Sequence, residues 1–88
     1  MSKIEVIADL ALEAMIADGL DEAIIGLTDV WDSDGSIRRI VAYDKQKVLE
    51  ILINRDSMEE DEAEEFFQFN IGGAYVGKGT PIFIEKVQ

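Results

Sequence analysis

The chain contains neither cysteine nor histidine, carries a single proline and a single tryptophan, and sets only eight basic residues against nineteen acidic ones in 88. Each shortage excludes something. Without cysteine there is no disulfide framework and no thiol nucleophile, so nothing depends on an oxidising compartment. Without histidine the commonest general base and the commonest metal ligand are gone together. The formal charge of −11 repels nucleic acid, whose binding draws on Lys and Arg to displace phosphate counterions, and it disfavours an anionic membrane surface. No apolar run approaches the eighteen residues of a membrane span, and the first residues lack signal-peptide form, so the expected location is the cytoplasm.

What is present is a globular composition, 48% hydrophobic, in a length that fits one domain, 1–88. Such a domain has a thin stability margin, so core packing must suffice or an oligomer must form. SKIEVIADLALEAMIADGL predicts an N-terminal helix over 1–19. Ser2 and Glu5 form a capping box, Ile4, Ile7, Ala8, Ala11, Leu12 and Met15 recur at helical spacing, and Gly19 suits the left-handed end with Leu20 after it. Ala23–Trp31 and Ser36–Tyr43, joined by Asp32-Ser33-Asp34-Gly35, read as a β-hairpin over 23–43. Two helices follow over 44–71. Asp44 caps the first, whose apolar positions are Val48, Leu49, Ile51, Leu52 and Ile53. Ser57 and Glu60 form a second capping box for the other, which runs to about Asn70. After glycines 72, 73, 77 and 79, Pro81 opens a last strand within 80–87. The order α-β-β-α-α-β makes an α+β fold, a small three-stranded, mainly antiparallel sheet packed by helices.

Candidate chemistry is sparse. With Gly35 at the sixth position of a calcium loop, Asp32 and Asp34 fall at the third and fifth, but Val30 and Val41 occupy the first and twelfth, which require carboxylates. Lys78 is followed by Gly79, which breaks a P-loop pattern. The reading is therefore of a protein that is not an enzyme, with no cofactor and no tight metal site.

The conspicuous stretch is SMEEDEAEEFFQFN, residues 57–70. Residues 56–65 hold seven of the nineteen acids. As a helix, the stretch turns Met58, Ala63, Phe66, Phe67 and Asn70 inward and leaves Glu59, Glu60, Asp61, Glu62, Glu64 and Glu65 outside. The helix macrodipole accounts for acids in the first turn but not for Glu64 or Glu65. Two readings compete: a solvated face, or an acidic ridge that presents carboxylates as a nucleic-acid decoy to a basic partner. Phe69 points aside and, if exposed, marks an interface, with a homodimer as the expected product. Asn70 reads as bonding to the glycine-rich turn, and Tyr75 as packing across the sheet.

Several of these pieces together resemble small acidic proteins of tailed bacteriophages, a family of unknown function. They are EAIIGL at 22–27, VAYDKQKVLEIL at 41–52 and SMEEDEAEEFFQFNIGGAYVGKGTPIFIE at 57–85, about three quarters of the chain without the N-terminal helix. The shared features are Tyr43-Asp44, Ser57-Met58, Phe66-Phe67-x-Phe69-Asn70, Gly73-Ala74-Tyr75-Val76-Gly77 and Thr80-Pro81. The resemblance implies a phage or prophage source and no mechanism. By analogy with small acidic phage proteins, it implies binding to a host protein with a basic surface, as an inhibitor or decoy of the anti-defence type. The alternative is a structural or self-assembling accessory protein.

Overall fold

The computed structural model describes residues 2–11, 14–17, 19–72 and 77–87. It is an α+β fold in the expected order: helix α1 (Lys3–Leu10), strands β1 (Ile24–Trp31) and β2 (Ile37–Asp44), helices α2 (Lys45–Arg55) and α3 (Glu60–Phe66), and strand β3 (Ile82–Ile84). A short 3-10 turn, Asp21–Ala23, leads into β1, and a π turn, Phe67–Gly72, continues α3.

The hairpin is built by its loop chemistry. Asp32 N–H donates to the Ser36 carbonyl at 2.9 Å and Gly35 N–H to the Asp32 carbonyl at 3.0 Å. Gly35 takes φ +88°, which a side chain disfavours. Ser36 donates its hydroxyl (2.6 Å) and N–H (2.9 Å) to Asp34 Oδ1, and Arg38 Nε donates to both Asp32 oxygens. The turn's carboxylates are thus engaged by the hairpin itself.

Strand order is β1-β2-β3. The long ladder, β1 on β2, is antiparallel, with an irregularity at Ile25 between Ile24↔Tyr43 and Gly26↔Ala42. β3 joins the other side of β2 in parallel, Tyr43 opposite Phe83. Two helices and a turn separate these strands in the chain, long enough for the crossover that parallel pairing requires. Three rings pin the short β3 in place: Tyr43 stacks on Phe83 at 5.2 Å, and Phe83 meets Phe67 edge-on at 5.1 Å. The core gathers Tyr43, Val41, Val48, Leu52, Ala63, Phe67, Leu20 and Ile7.

Asp44 caps α2 as expected, accepting from Gln46 and Lys47 N–H at 3.0 and 3.4 Å, and Val48, Leu49 and Leu52 are its buried face. Four expectations are corrected. The first helix ends at Leu10, not at residue 19. Beyond it the backbone is taken by distant partners: Met15 N–H donates to the Gly79 carbonyl at 3.0 Å and Ala17 N–H to the Tyr43 hydroxyl at 2.7 Å. Gly19 does adopt φ +78°, and Leu20 behind it is buried, but they end a loop rather than a helix. Ser57 does not cap α3. It sits at φ +57°, closing α2, while Met58 N–H donates to the Leu52 carbonyl, so it lacks the extended backbone of an N-cap. Glu59 takes that position, with its N–H donating to Glu62 Oε1 at 3.3 Å. The last strand spans 82–84, not 80–87.

Candidate functional site

The inward stripe of the acidic helix is the fourth correction. Ala63 and Phe67 are buried, but Phe66 is 38% exposed and Asn70 lies outside. The core contacts run instead in steps of four residues, from Ala63 to Phe67 and across the π turn to Ile71, which packs against the core. The stripe becomes Ala63, Phe67, Ile71. Gly72 ends the turn where a Cβ would stand 2.6 Å from the Phe67 ring, a position that only glycine can occupy without displacing that ring.

The residues left outside form a second face. Glu62, Glu65, Phe66, Phe69 and Asn70 line one shallow recess of about 320 Å³ on the outside of α3 and the π turn. Phe69 is 77% exposed. Two of the acids and the aromatic are one surface, at the i, i+3 and i+7 spacing of a helix face.

The six acids divide by environment. All are exposed. Glu59 and Glu62 belong to the cap of α3. Glu64 is tied to Lys45 of α2 at 3.1 Å, and the same ammonium reaches Glu85 at 3.5 Å and lies over the Phe67 ring. The contact with Glu64, more than any other, raises the Lys45 pKa. A basic partner from another helix thus accounts for Glu64, an acid that dipole arguments within α3 left over. Glu60 and Asp61 lie in the first turn, where the macrodipole favours them. Glu65, on the Phe69 recess, has neither account.

A larger apolar cleft of about 730 Å³ lies between residues 15–17 and Leu20, α2 and β3, with Met15, Leu20, Leu52, Phe66, Ile71 and Phe83 among its walls. The one cation among its described lining residues, Arg55, is already engaged: Nε and Nη2 donate to Asp56 at 3.0 Å each, and Nη1 to the Gly19 carbonyl at 2.6 Å. No group of three or more His, Cys, Asp or Glu among the described residues is arranged to hold a metal ion, and no helix among them is long and apolar enough to cross a membrane. Tyr75 and the other residues of 73–76 lie outside the described residues. In comparison with known proteins, no family model matches this chain, and no curated protein or solved structure matches it at a significant level.

Proposed function

We propose that this chain is a non-enzymatic protein-binding domain whose working surface is the recess of Glu62, Glu65, Phe66 and Phe69. The observation that carries the reading is Phe69, 77% exposed beside two carboxylates on one face. Such a surface fits a partner with an apolar pocket rimmed by Lys or Arg: the ring supplies buried area, the acids supply steering and register. The resemblance to phage proteins suggests a bacterial host protein as that partner, and a nucleic-acid-binding face is the kind of basic surface the acids would imitate. The non-enzymatic part draws support from the lack of histidine and cysteine. In addition, no carboxylate, lysine or arginine is buried among the described residues, and burial is the usual way to tune a catalytic carboxylate.

Self-association through Phe69 is the competing use of the same ring. A two-fold contact there would press Glu62 and Glu65 against their own copies in a molecule already at −11, which favours a different, basic partner.

Capture from bacterial lysate with wild type, Glu62→Lys/Glu65→Lys and Phe69→Ser, followed by binding curves on what wild type retains, tests the proposal. Both variants are expected to lose the partner with thermal melts unchanged, and wild-type affinity to fall steeply with salt. Equal affinity in all three proteins would reduce the acidic block to solvated surface. A concentration-dependent dimer that Phe69→Ser dissociates would support self-assembly instead.

A further inference from the structure

β1 is an edge strand eight residues long; among the described residues no strand lies on its outer side, and Lys3 Nζ of α1 donates to the Ile24 carbonyl at its start, 3.1 Å away. Natural edges of that length are blunted by Lys, Pro or cover, because their free N–H and carbonyl groups template further pairing. β1, Ile24-Ile25-Gly26-Leu27-Thr28-Asp29-Val30-Trp31, has neither Lys nor Pro. Ile25 and Trp31 are 50% and 67% exposed. Alongside runs a groove of about 570 Å³ between β1 and α1, into which Lys3, Val6 and Leu10 face. Val6 and Leu10 are themselves exposed hydrophobics.

We propose that a second copy of this chain occupies this edge, β1 pairing antiparallel with β1 about a two-fold axis at Thr28. Three observations select the occupant and the register.

The first is charge. β1 and β2 together carry two acids, Asp29 and Asp44, and two arginines, Arg38 and Arg39, a sum of zero in a chain of −11. Asp29 is paired with Arg39 at 3.2 Å. Two like-charged molecules can meet here without the repulsion the acidic helix would impose.

The second is hydrogen-bond parity. Asp32 N–H donates to Ser36, so the 32/36 pair is hydrogen-bonded across the hairpin, and alternation along the ladder turns the backbone groups of Leu27, Asp29 and Trp31 away from β2. Ile25, the extra residue of the irregularity, also has no partner on β2. An added strand must therefore match odd residues to odd residues. Centring on Asp29 opposes two aspartates, and centring on Leu27 leaves Trp31 opposite residue 23, beyond the strand. Centring on Thr28 sets Leu27 against Asp29, and Ile25 against Trp31 of the second copy, twice.

The third is the groove. A two-fold axis normal to the sheet brings the two α1 helices side by side on one face, with Val6 and Leu10 between them. The exposed apolar groups of this side are covered by one symmetric contact, which yields a six-stranded sheet.

Because the chain has no cysteine and one tryptophan, the test is clean. Thr28 would face Thr28 in a non-hydrogen-bonded pair, where Cα atoms stand about 4.5 Å apart, within disulfide reach. Thr28→Cys under mild oxidation is expected to cross-link fully to a dimer, while Asp34→Cys in the hairpin turn cross-links only by collision. Sedimentation should give twice 9.8 kDa for wild type, with Trp31 emission shifting red on dilution. Ile25→Lys should be monomeric, red-shifted at all concentrations and unchanged in far-UV circular dichroism. A single-chain mass for wild type at its highest soluble concentration overturns the proposal. So does Thr28→Cys cross-linking no faster than Asp34→Cys, or a dimer that survives Ile25→Lys.

Discussion

Tyr43 ties three parts of the molecule together: β2, β3 and the segment after α1. Its ring is fully buried and stacked on Phe83, and its hydroxyl accepts from Ala17 N–H, which holds the loop after α1 against the sheet. Tyr43→Phe keeps the ring and leaves that N–H without its partner, an expected loss of about 1 kcal/mol in a denaturant melt. Burial pushes the phenol above its ordinary value and the charge of Asp21 adds to this, against the pull of the Ala17 N–H. The folded state therefore holds this proton more tightly than the unfolded chain. That stability is fully present below the ordinary tyrosine range and is lost as pH rises through and beyond it. Thermal melts on the alkaline side should fall more steeply for wild type than for Tyr43→Phe. Parallel curves would show that the hydroxyl is not what couples folding to alkaline pH.

Among the elements, the junction of α2 and α3 shows most directly how one residue can serve only one helix. Asp56 ends α2, and Ser57 at φ +57° turns the chain away, in a conformation that costs a non-glycine residue about 1–2 kcal/mol. Ser57→Gly relieves that strain and adds some entropy to the unfolded chain, for an expected net gain of about 0.5–1 kcal/mol. In a domain of this size that raises the melting temperature by about 2–8 °C. A loss of stability would mean that the Ser57 side chain holds the junction in a way its backbone does not reveal. The π turn continues α3 to Gly72, with Phe67 and Ile71 packed toward the core and Phe69 and Asn70 left outside.

At the scale of the whole molecule the dominant quantity is charge. The ion pairs are exposed or half-buried, and pairs of that kind contribute between nothing and about 1 kcal/mol each. A surplus of eleven negative charges repels itself in the compact state. Moderate sodium chloride is therefore expected to raise the melting temperature, since screening weakens the general repulsion more than it weakens close pairs. A fall on adding salt would show that Lys45, Arg38 and Arg55 hold the fold together electrostatically.

The sequence by itself determined the parts whose causes are local. The hairpin turn needs only Asp32, Asp34, Gly35 and Ser36, and the start of α2 needs only Asp44 and the apolar spacing after it. Both are where their residues put them. The α+β order follows from the same short-range signals. What only the tertiary structure decided are the places where a backbone or side-chain group had a better partner far away. The periodicity of the first helix continues past Leu10, but Gly79 and Tyr43 claim the N–H groups of Met15 and Ala17. Ser57 has the chemistry of a cap but is spent on closing the preceding helix. Glu64 looks unexplained until Lys45 folds against it. The merger of Glu62 and Glu65 with Phe69 follows ordinary helical spacing, since i, i+3 and i+7 share a face, but which positions of the stretch seat in the core, Phe67 and Ile71 rather than Phe66 and Asn70, was settled only by how α3 and the π turn pack against the sheet and α2.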